Sequence, residues 1–259
     1  MHLPPMPFEL TAGHFAILAL AAFLVGGAKT GLSGIGILAV PLFAMVFTPF
    51  QSAGLLLPVL VVADGVAVAA WRRHGDQKML WPLVPWVLAG VLAASGVLYL
   101  AAQPGSALAG INTHLSRILG VLILAMLALS MAKKGVEDWI RDHPHAAPAT
   151  GLLAGLATSL NAAGPVMNLY LLAKRLPKEA FVGTGAWFFL VVNAIKILIV
   201  CPASGTFTLQ NAWLALTLTP FVLAGCWAGF TLVKRLPERS FQPVVRLFIL
   251  AAAVRMLCA

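Results

Sequence analysis

The sequence predicts an all-α polytopic membrane protein with an inverted-topology repeat, each half a broken-helix hairpin followed by three transmembrane helices. Composition is the first observation behind this. Of the 259 residues, 61% are hydrophobic and only 10% charged, with a mean hydropathy of +0.95. A soluble domain carries roughly 25% charged residues. The second observation is a pair of polar, glycine-rich interruptions in apolar surroundings, Gly26 to Gly36 and Gly155 to Pro165. Irregular backbone survives at membrane depth only when it is buried in protein or lines a watery cavity. Broken helices at matching places in two halves point to a transporter's substrate site. The third is the placing of Lys and Arg in alternate loops. The +9 formal charge would suggest nucleic acid in a soluble chain; confined to short loops, it is a topology signal, and no nucleic-acid partner is expected.

The elements follow in order. The first repeat, 1–132, opens with a hairpin over 13–47, whose arms cover about 13–29 and 34–47 around a break from Lys29 to Gly34. Spans at 52–71, 80–102 and 116–132 follow it. A polar stretch at 133–148, with Lys133-Lys134, Glu137-Asp138, Arg141-Asp142 and Pro144, is the cytoplasmic connector. The second repeat, 149–259, has a hairpin over 149–173 with arms 149–160 and 164–173, then spans at 180–201, 211–233 and 241–257. A full crossing needs about 20 residues, so the six spans qualify and the hairpin arms look short. Met1 to Thr11 has no basic n-region, which argues against a cleaved signal peptide.

Loop charge orients the chain. Arg72-Arg73 with Lys78, Lys133-Lys134 with Arg141, Lys174-Arg175 with Lys178, and Lys234-Arg235 with Arg239 mark the cytoplasmic side. The loops at 48–51, 103–113 and 202–210 carry no Lys or Arg and face outward. The first hairpin then starts and ends outside, the second inside, and both termini point outward. A shift of about 129 positions pairs Gly26 with Gly155, Thr30 with Ser159, Gly54 with Gly183, Asp64 with Asn193 and Arg117 with Arg246. Such coincidences among polar residues and glycines support a duplication.

The run Gly-Gly-Ala-Lys-Thr-Gly-Leu-Ser-Gly-Ile-Gly from Gly26, followed by Val40-Pro41-Leu42, resembles the opening signature of the sulfite exporter TauE/SafE family. Gly151 to Leu172, with Asn161-Ala162-Ala163-Gly164-Pro165, is similar to that family's second signature, though asparagine and proline replace a pure glycine run. The resemblance implies an inner-membrane carrier for sulfite, sulfonates or related anions. Its partners would be that small sulfur oxyanion or organosulfonate, the lipid bilayer, protons as a candidate coupling ion and a second copy in a candidate homodimer.

The residues that can carry chemistry lie at the breaks. Lys29 is the one charged residue of the first hairpin and is costly at membrane depth unless it faces water or an anion. Thr30, Ser33 and the half-helix N-termini at Gly34 and Gly164 would add donors. Alternatively, Lys29 is a topology marker of a fully crossing arm. Thr158, Ser159, Asn161 and Asn168 offer hydroxyls and amides in the second hairpin, for an anion or as glue between helices. Asp64 and Asn193, with Lys196 one turn on, are candidates for coupling; Asp64 either bears a proton or forms a structural ion pair with Lys29 or Lys196. Trp187 is a candidate gate, whereas the remaining tryptophans, Trp71 among them, fall toward span ends where indoles favour the interface.

Neither metal nor cofactor is expected. The six histidines show no HExxH spacing, and Cys201, Cys226 and Cys258 read as small hydrophobes. No GxxxxGK[ST] loop, GxSxG or paired aspartates occur, so neither ATP hydrolysis nor another enzyme activity is expected. The competing reading is a membrane subunit that holds another protein rather than a transporter.

Overall fold

The computed structural model describes residues 10–31, 35–47, 49–101, 134–158, 163–200 and 209–258, with scattered helical positions between 117 and 128. Ser33, Gly34, Ser159 and Asn161 lie outside the described residues, as does most of the span expected at 116–132. Every regular element among the described residues is helical.

Helix α1, Ala12–Thr30, starts at Thr11, whose hydroxyl accepts from the His14 N–H and caps the first turn. The return arm is a 3₁₀ turn, Ile35–Leu38, and α2, Ala39–Ala44. Then come α3, Pro49–Trp71, and α4, Val84–Ala101. Helix α5 is Lys134–Asp142; the second hairpin is α6, Ala146–Thr158, and α7, Ala163–Ala173. Helix α8, Lys178–Ile195, ends in a π turn, Lys196–Val200. Helices α9, Leu209–Arg235, and α10, Glu238–Cys258, complete the fold.

One expectation is corrected. The first arm is not short. Helix α1 passes unbroken through Gly26 and Gly27, and it is 19 residues long and apolar enough to cross a membrane. Its glycines do not interrupt it because α9 lies against them: a Cβ on Gly26 would sit 2.1 Å from the Val222 carbonyl, and one on Gly225 2.0 Å from that of Phe23. Small residues let membrane helices touch backbone to backbone. The same device joins α6 to α4, where a Cβ on Gly155 would meet the Val87 carbonyl at 2.3 Å and one on Gly90 that of Leu152 at 2.4 Å. The polar connector contains a helix, Lys134–Asp142. Its apolar residues are few but periodic, so α5 buries Ile140 and leaves Trp139 half in solvent. Arg141 bridges Asp138 and Asp142 at 2.7 and 2.9 Å. The guanidinium hydrogen bond holds the Asp142 carboxyl below its ordinary range.

By length and composition, Ala12–Thr30, Lys178–Leu198 and Asn211–Arg235 can cross a membrane, while Leu55–Trp71, Val84–Val97, Ala146–Thr158 and Ala163–Ala173 are shorter apolar helices. Two cores interlock. One joins α1, α2 and α3 to α9 through Leu18, Val25, Phe43, Val59, Leu218 and Val222. The other gathers α4 to α8 and α10 around Val87, Ala154, Met167, Leu171, Phe181 and Val245. Each hairpin therefore packs against a helix from the opposite half of the chain, and α3 runs beside α8 between them.

Candidate functional site

Asp64 stands on α3, seven residues before its end and so about 10 Å along the helix from Trp71. It is wholly buried. Such a carboxylate is expensive unless its partners are fixed, and two neighbouring helices supply them. The Lys29 ammonium, from the last turn of α1, lies 2.7 Å from Oδ1, with its side chain 12% exposed. The Asn193 side chain on α8 donates to Oδ2 at 2.6 Å. Phe189, one turn before Asn193, places its ring centroid 3.9 Å from the Lys29 ammonium, within cation–π range. The cation is thus held between a carboxylate and an aromatic face.

The end of α1 is fastened around this cation. Thr30 Oγ1 lies 2.6 Å from the Cys226 carbonyl on α9 and 3.0 Å from that of Gly26. A hydroxyl has one proton, so the shorter contact is the bond across helices. The Thr30 carbonyl, left without an intrahelical donor at the helix end, accepts from Trp71 Nε1 at 2.9 Å. Trp71 packs against Phe230, ring centroids 4.9 Å apart. Gly31 and Gly229 meet with no room for a side chain.

Beyond Trp71 the loop before α4 folds onto α8. The Asp76 N–H donates to Thr184 Oγ1 at 2.9 Å, and a Cβ on Gly75 would come within 2.9 Å of the Gly183 carbonyl. Trp187 lies over Gly75, and its Nε1 is buried with no acceptor among the described residues. On the other side of Asn193, Lys196 donates to the Thr158 carbonyl at 3.0 Å, closing the end of α6 as Trp71 closes that of α1. Asn168 is buried on α7, and the Cβ position of Gly164 faces open space.

Lys29, Thr30, Asp64 and Asn193 therefore come together, with Lys196 and Thr158 forming a separate contact nearby. Of the two ion pairs open to Asp64, the structure contains the one with Lys29. Trp71 corrects its expected interfacial place: it is buried, because its N–H satisfies Thr30, whereas Trp81, Trp86, Trp213 and Trp227 are exposed. Two residues of the site went unread in the sequence, Phe189 as a face for the ammonium and Trp71 as a latch. Spacing held a signal for both. Phe189 is four residues from Asn193, and Trp71 seven from Asp64, so each shares a helix face with its polar neighbour.

A family model described as Sulfite exporter TauE/SafE matches residues 18–256, nearly the whole chain and every residue of this site. The chain belongs to the sulfite exporter TauE/SafE family. No curated protein and no solved structure matches it. As a TauE/SafE member with apolar helices of crossing length, it is a multi-pass membrane protein. The TauE/SafE match spans both hairpins, so Lys29, Asp64 and Asn193 fall inside one family unit rather than in separate modules.

Proposed function

We propose that this TauE/SafE protein is a secondary transporter that exports sulfite, organosulfonates or related small sulfur-containing anions across the inner membrane. The observation that carries the reading is the Lys29 ammonium, a cation placed at the junction of α1, α3 and α8. Ionisable residues inside membrane bundles mark ion pathways by default. A compact ammonium on a flexible stem offers a point charge to an oxyanion without the two-pronged grip of an arginine, which suits an ion that must also leave. Thr30, Thr158, Asn168 and Asn193 are buried polar groups that would line this path, and Ser33, Gly34, Ser159, Asn161 and Gly164 would complete it from the two breaks. The protein acts as a carrier rather than an enzyme.

The two halves form an inverted repeat, and access alternates between the sides as they rock about Asp64 and Asn193. Asp64 and Asn193 are 129 positions apart and touch each other; contact between equivalent residues is what a two-fold axis in the membrane plane produces. The glycine crossings support the same reading. Gly26 meets Val222 and Cys226 as Gly155 meets Val87 and Val91, and the partners of each crossing come from the opposite half.

Flux of labelled sulfite into sealed vesicles containing only this chain tests the proposal. Uptake above protein-free vesicles, lost in Lys29→Met, is expected. If the parent vesicles take up no more than the blanks, the chain is a membrane subunit of something else.

A further inference from the structure

The charges around Asp64 limit what can move with the anion. Four helices pack against α3, which carries it. Helix α1 presents Lys29, and α8 presents the neutral Asn193 and, a turn on, Lys196, whose ammonium is on the Thr158 carbonyl. Helix α9 presents the Cys226 thiol, and α2, Ala39–Ala44, contains no ionisable residue. Among the described residues, one cation, Lys29, is paired with this carboxylate, in a place where Asp64 has no exposed surface.

We propose, resting on the transporter reading above, that the carrier exchanges one ion pair for another: a monovalent anion takes Lys29 from Asp64 while Asp64 takes up a proton, so each anion crosses with one proton and no net charge. With the site empty, ammonium and carboxylate sum to zero. An arriving monoanion would leave the site one charge negative with a naked buried carboxylate, the arrangement that costs most. A proton bound to a carboxylate oxygen restores the balance. The only bond formed is that O–H; no bond in the anion breaks, and the same proton leaves when the ammonium returns. Asn193 can serve both states, since an amide donates through nitrogen to a carboxylate and accepts through oxygen from a carboxyl group. A dianion would stay uncompensated, so the site takes hydrogensulfite or a sulfonate in preference to the sulfite dianion.

The test is the initial rate of labelled sulfite uptake by parent vesicles, at mildly acidic pH where hydrogensulfite dominates, with potential clamped by potassium and valinomycin. The rate in protein-free vesicles under the same gradients is subtracted as the sulfur dioxide leak. An anion moving alone gains or loses about 2.3 kcal/mol per 100 mV, about a 50-fold change in its distribution. Coupled movement predicts less than about a 2-fold response to that potential and about a 10-fold response to each imposed pH unit. Asp64→Asn should reverse the pattern, becoming sensitive to potential and indifferent to pH. A potential-driven, pH-independent leak-subtracted rate in the parent overturns the coupling while leaving transport in place. Absence of flux in the parent removes the transporter reading and this inference with it. Should the Asn variant fail to assemble, the parent measurement decides alone.

Discussion

Lys29 and Asp64 are each defined by the other. Removing one side of a buried ion pair costs about 3–5 kcal/mol, because the remaining charge is stranded. Lys29→Met should therefore abolish transport and also lower the melting temperature in detergent. Combining it with Asp64→Asn should restore the melting temperature while transport stays absent, which separates a role in function from one in folding. Should the double variant transport at the parental rate, Lys29 is only a topology marker. Lys29→Arg should recover part of the activity at best, since a planar fork cannot sit between Asp64 and the Phe189 face as a compact ammonium does. The polar members of this site were legible as residues: a lysine at a glycine-rich break, and an aspartate among valines and alanines. Their pairing was not. Two lysines were within plausible reach of Asp64, and only the tertiary path of α8 commits Lys196 to Thr158.

Helix crossings without side chains set the positions of α1 and α6. Gly26→Ala and Gly155→Ala would each push a methyl into a carbonyl on the facing helix, at 2.1 and 2.3 Å, and overpacking of this kind costs about 1–3 kcal/mol. Gly65 faces open space, so Gly65→Ala should stay within about 0.5 kcal/mol of the parent. Thermal unfolding of the three purified variants in detergent checks this; equal melting temperatures would mean the crossings yield easily. At this scale most helices were legible from hydropathy, with ends displaced by a few residues. Misreading the first arm had a physical cause, because glycine signals a break in an isolated helix but a close approach in a packed one. The connector's polarity describes one face of α5, while Ile140 on the other is buried and docks the helix.

For the molecule as a whole, the order of charged and uncharged loops predicts which residues meet which solution. Single cysteines introduced at Phe50 and Leu176 should react with an impermeant reagent from outside and from inside only, respectively. Labelling of both from one side would remove the inverted arrangement and with it the alternating motion about Asp64. The interlocked cores add a second expectation, since each contains helices from both halves. Residues 1–132 expressed alone should be degraded, and co-expression with 133–259 should rescue them. Accumulation of the first piece by itself would show that the halves fold independently. The interlocking could not be read in the sequence, because α1 and α9 are linked by no motif, only by two matching rows of glycines.

Asp64 and Asn193 touch across 129 positions of chain, and this has an ancestral consequence. If the halves descend from one gene whose products paired as identical subunits, that position once faced its own copy. In identical subunits Lys29, whose equivalent is Thr158, and Asp64 would each be present twice or not at all. Only the mixed pair supplies a single negative charge with a donor beside it, and symmetry forbids that pair to identical subunits. On that descent, fusion of the halves into one polypeptide is what let the two copies diverge. The ion pair at the centre of this site is then younger than the fold that holds it.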